Sequence, residues 1–90
     1  MGRIVSLNFE HDGLDHFCIV CIEKKVDLTR YTFRLNTKEL QEIISEDNIL
    51  VEKDGYIEVS LASEDIKRSK LKLAIARAIA DYFKVHQDTL

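Results

Sequence analysis

The sequence predicts one small α+β domain in the order βββαββα: an antiparallel sheet with a short helix and a long C-terminal helix packed on one face. Three observations carry this. Short runs with apolar residues at alternate positions fill the chain before residue 36, the period of half-buried strands. Asp54-Gly55 stands between two β-rich runs, a strong signal for a two-residue hairpin. The last third repeats apolar residues at i, i+3, i+4 and i+7, the period of an amphipathic helix. Hairpin-length links between these runs favour antiparallel neighbours with helices gathered on one side. The 90 residues hold no proline and no Ser/Gly-rich linker, so residues 1–90 read as a single domain.

Taken in order, Val5, Leu7 and Phe9 alternate with Ser6 and Asn8 as a strand with one buried face. Phe17 to Glu23 is apolar on both faces, which fits a strand covered on both sides, or covered on one and paired in an oligomer on the other. Between them lies H-D-G-L-D-H. Pairing Phe9 with Phe17 puts Leu7 beside Ile19 and Val5 beside Cys21, all on one face, and predicts a loop of about five residues, His11 to Asp15, around Gly13. Tyr31, Phe33 and Leu35 alternate with Arg30, Thr32 and Arg34, giving a third strand with a greasy and a basic face. Asn36 and Glu39 predict a capped helix start, with Leu40, Ile43 and Ile44 as its narrow stripe and an end near Asn48. A type I′ turn at Asp54-Gly55 sets Glu52 against Ile57 and places Leu50, Ile57, Val59 and Leu61 on one face. Ser63 is the expected cap of the last helix, with Glu64 and Asp65 in its first turn.

That helix carries two apolar stripes. Leu71, Ala74, Ile75, Ala78, Ile79 and Tyr82 are expected to face the sheet. Leu73, Ala76, Ala80 and Phe83 lie roughly 150° around it, more apolar surface than a domain of this size is expected to absorb. A weaker pattern joins Y31-T-F-R-L-N-T-K-E-L40 to I57-E-V-S-L-A-S-E-D-I66: alternation ending in Leu, then Thr or Ser, an acid and an apolar residue.

Composition narrows the function. The 46% hydrophobic and 32% charged fractions are those of a folded soluble chain. No apolar run is long enough for a membrane span, and the first residues lack the apolar core of a secretory signal, so the cytoplasm is the expected location. The net charge of −3 hides an asymmetry: nine acids against Lys38 and Lys53 over residues 36–65, then six bases against Asp81 over 66–84. Cys18 and Cys21 sit three apart within a strand, on opposite faces, where they can neither share a metal nor form a disulfide. There is no phosphate-cradling glycine motif, no HExxH and no nucleophile elbow, so an enzyme is not expected and no cofactor is implied.

Three roles are open to such a chain. The foremost is a small non-enzymatic protein-interaction module, of the adaptor, chaperone or immunity-protein kind, homodimeric through Leu73, Ala76, Ala80 and Phe83 of the C-terminal helix. The second is a regulatory nucleic-acid binder using Lys70, Arg77 and Lys84, which recur every seven residues along one helix edge. The third is a metal-binding protein using His11, Asp12 and His16.

Overall fold

A computed structural model describes residues 2–59 and 65–84, together with the backbone of 86–89. The chain runs β1 (Gly2–His11), β2 (Leu14–Lys24), β3 (Thr29–Leu35), α1 (Lys38–Ile44), β4 (Ile49–Lys53), β5 (Tyr56–Val59), α2 (Ile66–Phe83) and β6 (His86–Thr89). Strands β1 to β5 form an antiparallel meander in which each strand pairs with the next, and β6 joins beside β5 in parallel. The α+β class, the antiparallel five strands and the two helices agree with the sequence. The sixth strand has no signal there, because H-Q-D-T shows no apolar alternation; its backbone pairs in parallel with β5.

The first hairpin corrects the expected five-residue loop. His11 pairs with Leu14, so only Asp12 and Gly13 turn the chain, with φ of 53° and 75°. Two successive positive φ values make a type I′ turn, whose twist matches that of the flanking strands. Phe9 therefore opposes His16, and Leu7, Val5 and Arg3 oppose Cys18, Val20 and Ile22. Phe17, Ile19 and Cys21 fall on the other face. Alternation cannot choose between these registers in a strand apolar on both sides; the Asp-Gly turn chemistry chooses. Asp54 and Gly55, at φ of 54° and 82°, repeat the device and set Glu52 against Ile57 as expected.

One sheet face is buried beneath the helices. Its core comprises Leu7, Phe9, Cys18, Val20, Ile22, Tyr31, Phe33, Leu35, Leu50, Ile57 and Val59 from the strands. Leu40 and Ile44 of α1 and Leu71, Ile75, Ala76, Ile79 and Ala80 of α2 complete it. Each fully buried large aliphatic or aromatic side chain contributes about 1.5–3 kcal/mol relative to exposure.

Both helices start one or two residues later than their sequence signals suggest. Thr37, not Asn36, caps α1, its hydroxyl accepting from the Leu40 amide at 3.2 Å. Ser45, in a positive-φ conformation, ends α1 well before Asn48. Asn48 instead pairs with β3: the Phe33 amide donates to its carbonyl at 2.9 Å, and its side-chain amide donates to the Phe33 carbonyl at 3.3 Å. Asp65 caps α2, accepting from the Arg68 amide at 3.1 Å while its other oxygen holds the Arg68 guanidinium at 2.8 Å. Ser63 and Leu61, together with residues 60–64 of the β-to-helix echo, lie outside the described residues.

The buried arc of α2 is rotated from the expected stripe. Leu71, Ile75 and Ile79 are buried as expected, but Lys72, Ala76 and Ala80 share their face, while Tyr82 is half exposed and Ala74 and Ala78 sit at the margin. Lys72 crosses to Asp47, after α1, with Nζ 2.6 Å from Oδ1, tying the basic helix to the acidic middle of the chain.

Candidate functional site

The second apolar stripe of α2 is largely used within the chain. Ala76 and Ala80 are 0% and 7% exposed, and Leu73 and Phe83 pack partly buried against the same core. The Phe83 ring lies 5.5 Å from that of Tyr31, and the Arg3 guanidinium stands 5.9 Å from its centre. The surface this stripe leaves for a partner is the outer part of Leu73 and Phe83.

Lys70, Arg77 and Lys84 are all exposed, in line along α2 away from the core. Lys72 and Arg68 are occupied by Asp47 and Asp65, and Asp81 stands one turn beyond Arg77. The basic edge is therefore three separated cations with an acid among them.

His11 and His16 both point to the inner face at the turn end of the first hairpin, their ring centres 6.4 Å apart, with Phe9 5.6 Å from His16. Asp12 reaches back to His11 at 3.5 Å. Among the described residues no three His, Cys, Asp or Glu side chains converge as a metal ion requires. Cys18 is buried and Cys21 exposed, on opposite faces of β2 as strand geometry demands. Burial pushes the Cys18 thiol up to about 11, far from a reactive thiolate.

A cleft of about 620 Å³ opens between the β2–β3 turn and the end of α2, floored by Ile22, Tyr31 and Phe83 and rimmed by Arg3, Lys24 and Glu52. The Tyr31 hydroxyl donates to Glu52 at 2.7 Å, and burial together with that carboxylate holds the phenol protonated. On the outer sheet face Arg30 and Lys25 flank Glu23, and their hydrogen bonds hold its carboxyl below the usual range. The rest of that face carries a cross-strand row, Ile4–Cys21–Thr32–Ile49, with Phe17 and Ile19 beside it, none covered by a helix.

Strand β1 offers something different: its backbone. In a two-residue hairpin the residues flanking the turn form a hydrogen-bonded pair, and bonding alternates outward from there. His11, Phe9, Leu7, Val5 and Arg3 therefore bond to β2. The Phe33–Asn48 bond fixes the same parity independently, since Phe33 turns to β4, Thr32 to β2, Cys21 to β3 and Val20 to β1. Gly2, Ile4, Ser6, Asn8 and Glu10 thus aim their N–H and C=O groups away from the sheet. Beneath this edge a groove runs between Asn8, Phe9 and Glu10 on one side and Ala74, Arg77, Ala78 and Asp81 of α2 on the other.

Neither a protein-family model, nor a curated protein, nor a solved structure matches this chain. No helix among the described residues is long and apolar enough to cross a membrane.

No residue pattern marks the β1 edge in the sequence, although a meander that begins with β1 leaves that strand a neighbour on one side only. Ala74 and Ala78 match the sheet-facing stripe by spacing because both are apolar at the right interval. Alanine fits a helix margin as well as a core, so spacing alone cannot place them.

Proposed function

We propose that the protein is a small non-catalytic interaction module that binds by strand addition: an extended protein segment pairs with β1 and lies over the groove beside α2. One observation carries the reading. β1 is a ten-residue strand at the sheet edge with an unbroken register from Gly2 to His11. Protected edges are short, bulged, or studded with proline and lysine. β1 has no proline, no bulge and no lysine, and its charges are Arg3 and Glu10 near its ends. The opposite edge, β6, spans four of the described residues, His86–Thr89.

The groove supports the same reading. Backbone pairing supplies affinity in strand addition, and pockets for alternate side chains supply selectivity. Ala74 and Ala78 give a floor of single methyl groups beside the buried ring of Phe9. An added strand with alternating apolar residues would place them there.

Position-specific photo-crosslinking tests this. A photoreactive residue replacing Asn8 should give a discrete crosslinked protein species in cells of the source, and one replacing Glu42 on α1 should not. Ser6→Pro, which removes an outward N–H while leaving the bonds to β2 in place, should abolish the species. Equal crosslinking from both positions, or none from position 8, overturns the proposal.

A further inference from the structure

The open edge carries enough detail to name its occupant, provided the reading of that edge as strand-accepting holds. We infer that the added strand is β1 of a second copy of this chain, antiparallel about a two-fold axis at Ser6, so that the two sheets merge into one.

The register is set by which groups are free. Only Gly2, Ile4, Ser6, Asn8 and Glu10 offer outward N–H and C=O groups, so a self-pairing must match even positions with even positions. Centring on Ser6 engages all five: Gly2 with Glu10 of the second copy, Ile4 with Asn8, Ser6 with Ser6. Moving the axis one residue in either direction leaves an end unpaired. On the inner face the same register sets half-buried Val5 against Leu7 of the second copy, completing its cover.

Charge along α2 is compatible with an axis near Ser6. Arg3 stands over Phe83, whereas Asn8, Phe9 and Glu10 face Ala74, Arg77, Ala78 and Asp81. The helix therefore runs opposite in direction to β1, and Ser6 lies level with the stretch after Arg77. A two-fold axis there sets the two α2 helices antiparallel, with Arg77 of each beside Asp81 of the other. Among the described residues neither Arg77 nor Asp81 has an ion-pair partner within its own chain. Opposite charges one turn apart on a single helix are self-complementary across a two-fold axis, a property an isologous interface requires. Ala74 and Ala78, with no bulk beyond a methyl, let the helices approach to about 8–10 Å.

An edge roughly 30 Å long above one helix layer buries on the order of 1,000–1,200 Å² in total, the lower end for a specific interface. Area alone does not set affinity, so association is followed by sedimentation equilibrium between about 1 and about 500 μM. The 10.4 kDa chain should double its mass across that range. Arg77→Asp should weaken association at least about tenfold, and adding Asp81→Arg should restore it, which a merely structural effect would not do. Ser6→Pro should leave a monomer. In a Cys21→Ser background, Ser6→Cys should form a disulfide dimer on mild oxidation, because paired Cα atoms about 5.5 Å apart lie within disulfide reach. Asn8→Cys should not.

A chain monomeric throughout overturns the inference, as does a dimer indifferent to both Ser6→Pro and Arg77→Asp. Crosslinks from position 8 that land in a different protein reject the second copy and keep the strand-accepting edge. Their complete absence rejects both.

Discussion

Replacing Asp47 by alanine removes the ion pair of a buried ammonium, and the structure sets the size of the effect. Lys72 Nζ lies 2.6 Å from Asp47 Oδ1, with the lysine side chain 7% exposed and the aspartate 31%. At an effective dielectric of about 20, Coulomb attraction at that separation is about 6 kcal/mol before desolvation is counted. Breaking a fully buried pair from one side costs about 3–5 kcal/mol. Water reaching Asp47 lowers this, and we expect Asp47→Ala to lose about 2–3 kcal/mol. Lys72→Met should behave otherwise. It keeps the apolar stem in place, removes the charge and leaves a carboxylate that water can reach, so its loss should stay under about 1 kcal/mol. Urea unfolding followed by circular dichroism measures both. On heating, Asp47→Ala should lower Tm by about 10–20 °C for a domain of this size. Equal losses in the two variants, or a loss below about 0.5 kcal/mol for Asp47→Ala, would refute the account of a buried ammonium stabilised chiefly by Asp47.

Gly55→Ala should cost about 1 kcal/mol because φ is positive there, and Gly55→Asn clearly less; similar losses in urea titration would argue against the type I′ turn. Under native conditions a thiol reagent should modify Cys21 rapidly and Cys18 only after unfolding, since the Cys18 thiol is buried and raised to about 11; matched rates would contradict the strand's facing. Asp65 is held below the usual carboxylate range by the Arg68 amide and guanidinium. A carboxyl lowered in the folded state stabilises fully above its unfolded value and loses that contribution as pH falls through the folded one. Asp65→Asn, which can still cap the helix, should therefore flatten the acid limb of Tm against pH and leave the limb above neutrality unchanged.

Much of the fold is legible because several positions carry two concordant signals. Tyr31, Phe33 and Leu35 alternate cleanly against Arg30, Thr32 and Arg34, and the second Asp-Gly turn is flanked by patterned runs. At the first hairpin the signals conflict. Asp12-Gly13 asks for a tight turn, while Phe17, Ile19 and Cys21 ask to share a face with Phe9. The turn prevails because a type I′ hairpin is fixed by local backbone preference, whereas β2 has a second apolar set, Cys18, Val20 and Ile22, ready for the core. The arc of α2 departs from its expected place for a related reason. Lys72 reads as a surface residue, yet its stem is buried on the same face as Ala76 and Ala80, while Ala74 and Ala78 lie at the margin. Its partner Asp47 is one acid among nine in residues 36–65, and nothing local singles it out. The open edge belongs to no residue pattern; it appears once strand order is known.

The parallel seat of β6 beside β5 bears on how the chain matures during synthesis. Adjacent antiparallel pairs can zip within microseconds as each hairpin clears the ribosome, since their contacts are close in sequence. β6 meets β5 only after the whole of α2 has been made, and at about 5–20 residues per second that wait lasts seconds. Through that interval β5 stands as a border of the nascent sheet, and β6 then covers it and becomes the new edge, while β1 stays a border throughout.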